Sequence, residues 1–177
     1  MALSLQAVDV ESRDERTERS DQENDLFVFA TALGGANFLD VDPSLPSGSS
    51  KSPVLGVRVG FRGSRPPIAS PGGRLGFMSS LLFRYAPLST RAEWVAEGAL
   101  TVTLFKYFLL AAGLGYGLTT VHADTPRHFV QASTQLIFNS TSGFWIGAGV
   151  DVALRFDGGR MLQGTVTAGW QFEVLDF

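Results

Sequence analysis

The sequence predicts an all-β fold, an eight-stranded antiparallel up-and-down transmembrane β-barrel. Three observations predict it. Apolar residues recur at every second position through most of the chain, a period that only strands supply. The alternating segments are long, and a strand tilted near 45° needs about 9–11 residues to cross a hydrocarbon layer. The parity opposite the apolar residues carries arginine, acids and glycine, not the lysine- and glutamate-rich cover of a soluble surface.

Residues 143–177 give the cleanest alternation. Phe144, Ile146, Ala148, Val150, Val152, Leu154 and Phe156 share one parity, and Gly147, Gly149, Asp151 and Arg155 share the other. Asp157-Gly158-Gly159-Arg160 is a tight-turn sequence, because glycine tolerates the positive φ of hairpin turns. Val166, Ala168, Trp170, Phe172 and Val174 then alternate with Thr165, Thr167, Gln171 and Glu173.

The other elements run from Leu26 onward. A first strand spans 26–37, with apolar residues on both parities, and a Pro-, Ser- and Asp-rich loop spans 38–53. A second spans 54–62, with Leu55, Val57, Val59 and Phe61 opposite Arg58 and Arg62. A third spans 74–85, with Leu75, Phe77, Leu81, Phe83 and Tyr85 opposite Arg74, Ser80 and Arg84. After a turn at 86–90, a fourth spans 91–105, with Trp94, Ala96, Leu100 and Val102 opposite Glu93 and Glu97. A fifth spans 107–118, where Phe108, Leu110, Leu114 and Tyr116 oppose Gly113, Gly115 and Gly117. A loop at 119–126 leads to the sixth, 127–138, with Val130, Ala132, Leu136 and Phe138 opposite Gln131, Ser133 and Gln135. The loops at 38–53, 86–90, 119–126 and 157–160 share one end, and both termini share the other.

Residues 1–25 differ from the rest. They carry eight acids and three arginines, net −5, whereas the remainder nets +2. They have no apolar stripe and read as a solvated, disordered arm. Residues 1–7 are a candidate signal-peptide remnant. The domain division is therefore an arm at 1–25 and a barrel at 26–177. The chain has no cysteine, which excludes disulfides and thiolate metal sites. The net charge of −3 gives no reason to expect nucleic acid. No apolar run reaches the roughly 18 residues of a transmembrane helix.

Periodicity alone does not say which face is inside. The apolar parity has large side chains on nearly every strand, while the polar parity has many small ones, as the narrow interior of an eight-stranded barrel requires. Apolar-out and polar-in is the membrane pattern. With eight such segments, aromatics near the strand ends (Phe61, Tyr85, Trp94, Phe108, Phe144 and Trp170) and a terminal Phe177, residues 26–177 resemble the small outer-membrane barrels of the OmpA/OmpX type. The resemblance implies a bacterial outer membrane and a Gram-negative envelope. It implies surrounding membrane lipids and lipopolysaccharide, and an assembly machinery that reads Phe177. One departure is that Phe177 lies opposite in parity to Trp170, Phe172 and Val174; a bulge near Glu173 would restore register.

The candidate site is the lumen charge cluster of Arg58, Arg62, Arg84, Glu93, Glu97, Asp151 and Arg155, with Glu173 a candidate further acid. Such charges must pair or be hydrated. They point to a structural or interaction barrel with a filled interior, or to a narrow conduit for small solutes. A lipid A-modifying enzyme is the alternative of another class, but the chemistry for it is thin. Lipid A deacylases need a His-x-Ser pair, whereas His128-Phe129-Val130 has valine at the nucleophile position and Ser133 has the wrong parity. His122, Asp124 and Ser89 make no convincing acyltransferase set, and two histidines with one acid are too few for a metal. Gly113-Leu-Gly115-Tyr-Gly117 lies within a strand, so it is no phosphate loop. No cofactor is expected. The acidic arm is a candidate contact for a basic periplasmic partner.

Overall fold

The computed structural model describes residues 25–41, 51–64, 74–104, 107–121, 125–140 and 142–176. Eight strands run in order: β1 Asp25–Val41, β2 Ser52–Ser64, β3 Arg74–Ala86, β4 Arg91–Leu104, β5 Phe108–Val121, β6 Arg127–Asn139, β7 Phe144–Arg155 and β8 Arg160–Asp176. Each pairs antiparallel with its neighbours in sequence, and β8 pairs with β1 to close the barrel. The expected fold class is the observed one. The strands have 12–17 residues, enough to cross a hydrocarbon layer when tilted.

Alternation decides what each strand buries. On β4 every odd residue from Arg91 to Thr101 is buried, while Trp94, Ala96, Gly98 and Leu100 are exposed. On β6 and β7 the same rhythm puts Gln131, Ser133, Gln135, Asp151 and Arg155 inside. β1 is ambiguous by sequence, and the structure turns Phe29, Thr31 and Leu33 inward with Val28, Ala30 and Ala32 outward.

Strand ends depart from expectation in an informative way. Of the loop expected at 38–53, residues 38–41 belong to β1, which continues through a register shift between Asn37 and Leu39, and 52–53 belong to β2. Phe38 and Leu39 both face out, so Asn37 and Asp40 both face in. Likewise 119–121 belong to β5, not to the following loop. All of the expected arm but Asp25 lies outside the described residues.

Two turns are closed by local chemistry. Gly158 takes φ +91°, Gly159 N–H donates to Asp157 Oδ1 at 2.9 Å, and Arg155 N–H donates to Gly159 O at 2.9 Å. Before β4, Ser89 N–H donates to Ala86 O at 3.2 Å and Thr90 sits at φ 47°.

The interior is not polar throughout. Leu33, Val54, Leu82, Val95, Phe129 and Met161 belong to one buried apolar cluster. Phe29, Met78, Leu109, Ile137 and Trp145 belong to a second, with the Phe29 and Trp145 rings 4.5 Å apart. Trp145 shares the inward parity of Asp151, where the sequence suggests only glycines and charges.

The closing seam is tight. A Cβ on Gly169 of β8 would lie 2.0 Å from Ala30 O and 2.6 Å from Thr31 Cα, both backbone. On the outer wall a Cβ on Gly98 would meet nothing within 4 Å. Gly169→Ala is therefore expected to destabilise the barrel by about 1–3 kcal/mol through overpacking, and Gly98→Ala to leave it unchanged or slightly better. Urea unfolding midpoints of the two variants in detergent check this.

Candidate functional site: the charged interior

The charged residues on the inward parity come from different strands and meet inside the barrel. Arg58, Arg84, Glu93, Glu97 and Asp151 are all less than 5% exposed. Arg84 of β3 is the hub. Its Nε lies 3.0 Å from Glu93 Oε2, and its Nη1 donates to Asp151 Oδ2 at 2.9 Å. It also donates to the side-chain oxygens of Gln163 and Gln131. A guanidinium has five N–H groups in a fixed plane, so one arginine can address β4, β6, β7 and β8 together.

The network extends both ways from that hub. Glu97 Oε2 accepts from Gln131 Nε2 at 3.1 Å, and its Oε1 lies 3.6 Å from Arg58 Nη2. Gln163 Nε2 donates to Asn37 Oδ1 at 3.1 Å, which carries the chain of contacts to β1. Toward the 87–90 turn, Arg91 Nε meets Glu93 Oε1 at 2.9 Å, and its Nη1 pairs with Asp40. Asp40 Oδ1 is also 3.6 Å from Arg155 Nη1, and Arg155 Nη2 donates to Val41 O at 2.7 Å. Arg62 lies lower in the barrel, its guanidinium 4.9 Å from the Phe27 ring centroid.

Among the described residues, every strand except β5 contributes a side chain to this network. The reason lies in β5 itself. Its Gly113, Gly115 and Gly117 sit where larger residues of the neighbouring strands need room. A Cβ on Gly115 would lie 2.8 Å from Val95 Cγ1, and one on Gly117 would lie 2.4 Å from Phe129 Cζ.

Two charged members, Arg91 and Asp40, were missed by sequence, as were the amides of Asn37 and Gln163. Arg91 shares the parity of Glu93 and Glu97, so its inward aim was readable. Asp40 was not readable, since only the register shift before Leu39 turns it inward. Conversely, Glu173 is exposed and is no interior acid. The further interior acid is Asp40, at the opposite end of the β1–β8 pair.

The remaining candidates divide by face. Phe61, Tyr85, Trp94, Phe108 and Trp170 are exposed on the outer wall, and Phe144 is half-buried against Trp170 at 5.3 Å. His128 is exposed on the outer wall, where its Nδ1 is hydrogen-bonded with the Tyr116 hydroxyl. Ser133 is buried inside. The two therefore lie on opposite sides of the sheet and form no dyad. Ser89 is spent on the turn, its hydroxyl donating to Ala86 O at 3.4 Å. His122, Asp124 and Phe177 lie outside the described residues.

The register near the C-terminus shifts as the parity of Phe177 requires. Glu173 pairs with Phe27, and Leu175 pairs with Leu26, so Val174 is the extra residue of a bulge.

Fold and interior together define a class: a closed, up-and-down, eight-stranded antiparallel barrel, apolar outside and laced with ion pairs inside. Among solved structures, the Yersinia pestis outer membrane protein Ail is similar to the chain. Ail in a phospholipid bilayer nanodisc is 12% identical over 81% of this chain and 99% of its own, with a TM-score of 0.44. Crystalline Ail in complex with the heparin analogue sucrose octasulfate is 13% identical over 85% and 98%, with a TM-score of 0.39. A further crystal structure of Ail is 14% identical over 85% and 99%, with a TM-score of 0.30. No family model and no curated protein matches the chain.

Removing one partner from a buried pair leaves the other charge uncompensated. Arg84→Ala strands Asp151 and takes one of the two guanidinium partners of Glu93, and the expected loss is about 3–5 kcal/mol. Arg127 pairs with Asp157 at 3.2 Å where both side chains are about 30% exposed, and Arg127→Ala should cost at most about 1 kcal/mol. Unfolding in detergent followed by tryptophan emission compares the two.

Proposed function

We propose that the protein is an integral β-barrel of a bacterial outer membrane, with a structural or interaction role and a closed lumen. The carrying observation is the outer wall. Large apolar side chains are exposed on all eight strands, among them Val28, Leu55, Leu81, Leu100, Leu114, Leu136, Val152 and Phe172. Soluble monomers rarely expose apolar patches beyond a few hundred Å². Here the exposed face is a continuous belt around a sheet with no free edge, the arrangement a bilayer permits. Aromatic pairs near both ends of the strands, Phe83 with Trp94 and Phe108 with Phe138, suit interfacial girdles.

The closed lumen rests on the interior pairs. Arg84, Arg91 and Arg155 balance Glu93, Asp151 and Asp40, and Phe29, Met78, Ile137 and Trp145 pack across the barrel toward the chain termini. An eight-stranded barrel has room for side chains or for a pore, not for both. The partners of this reading are membrane lipids and lipopolysaccharide around the belt and the assembly machinery at Phe177. The acidic arm is the part that would meet a basic periplasmic partner. A lipid-modifying enzyme would need a nucleophile beside a base on the outer wall or a loop, and His128 has the Tyr116 hydroxyl for its neighbour.

Extraction and electrophoresis test the membrane assignment. The folded protein is expected to need detergent and to migrate differently before and after boiling; solubility without detergent would overturn it. Planar-bilayer recording tests the lumen separately. No stepwise conductance is expected from the purified barrel, and reproducible channels would make the interior a conduit.

A further inference from the structure

The outer wall holds an apolar concavity of about 380 Å³. Register explains where it lies. Val57, Phe83, Trp94, Leu118 and His128 are successive cross-strand partners in one row. Val59, Leu81, Ala96, Tyr116 and Val130 form the next. Ala96 is the small member of its row, so it makes a floor between Leu81 and Tyr116, with Phe83, Trp94 and Leu118 as the upper walls. Gly98 continues that floor along β4, where a Cβ would meet nothing within 4 Å.

The shape selects the occupant. β3 and β5 flank β4 at two inter-strand spacings, about 9.5 Å apart, and Leu81 and Tyr116 narrow the gap. An α-helix with its side chains is about 10–12 Å across and cannot enter. A strand has no edge to join, because the barrel is closed. A linear hydrocarbon chain needs only van der Waals contact, about 3.5–4.0 Å on each side. The rim adds a polar handle: the Tyr116 hydroxyl and His128, hydrogen-bonded and exposed, stand one residue inside the start of β6. An amphiphile could thus lay its chain along β4 and set its head at that pair.

We propose that this groove seats one acyl chain of a phospholipid, with the headgroup at Tyr116 and His128. The inference rests on the membrane reading above and adds a fixed lipid position to it. Trp94 forms one wall, so it reports occupancy. Trp170 lies on the distant outer face of β8, and Trp145 is buried inside.

The test uses the full chain in detergent micelles, titrated with phosphatidylglycerol brominated on its acyl chains. In a Trp170→Phe background, Trp94 emission is expected to fall saturably. In a Trp94→Phe background, Trp170 should show only quenching proportional to the lipid content of the micelle. Ala96→Leu fills the floor and should weaken the saturable phase roughly tenfold or more. Ala148→Leu, the same change on the far wall, should leave it intact. Gly98→Leu serves as a second filler should Ala96→Leu fold poorly. Proportional quenching at Trp94, or saturable quenching that survives both fillers, overturns the proposal. Heat-modifiable migration is read alongside. A folded barrel without saturable quenching removes the groove alone, whereas failure to fold in detergent removes the membrane reading with it.

Discussion

In the hydrocarbon layer proposed for this barrel no water would satisfy an unpaired backbone N–H or C=O, so every strand must find two partners. The pairing of β1 with β8 is what makes that true for the sheet as a whole. It also carries the irregularities. Both register shifts of this pair lie near its ends, one between Asn37 and Leu39 and one between Leu26 and Phe27. The middle of the seam is regular and close, with Gly169 against Ala30 and Thr31. Closure is thus achieved by a tight central ladder whose ends are free to adjust phase.

Closure creates the second problem, a small interior fed by eight strands at once. Half of every strand must face it, and side chains from opposite walls collide unless sizes are matched. The glycines of β5 are one answer, since they yield room to Val95 and Phe129. Arginine is the other. Arg84 spans the interior and ends in a planar fork that binds two carboxylates and two amides. These pairs need not add net stability over a packed apolar core. Instead they tie β3 to β4, β6, β7 and β8 in one register, because a one-residue slip of any strand would turn its partner to the outside.

How much of this was legible in the sequence depends on the type of information. Strand number, order and facing come from a period of two, which survives in every segment from Leu55 to Val174. The inward set Arg58, Arg84, Glu93, Glu97, Asp151 and Arg155 is readable for the same reason, and Arg91 and Trp145 share its parity. Who pairs with whom was not readable, because neighbours across the barrel are set by strand stagger, and alternation carries no stagger. Asp40 shows the limit most clearly. Its parity within β1 is that of outward Val28 and Ala30, and only one extra residue at Phe38 reverses it. Glu173 fails in the opposite sense, since alternation places it inside whereas it is exposed.

The two bulges share one physical effect. Each adds a residue to one strand of the seam, and each changes the face of the residues after it. At the loop end, the shift delivers Asp40 to Arg91 and Arg155, so that one carboxylate meets two guanidinium groups. At the terminal end, the shift at Val174 pairs Leu175 with Leu26 and returns the backbone beyond it to the parity of the outward residues. A strictly regular β8 would carry the last residues of the chain with the lumen phase. The terminal aromatic that parity alone assigned to the wrong side therefore comes after a strand whose phase has already been reset.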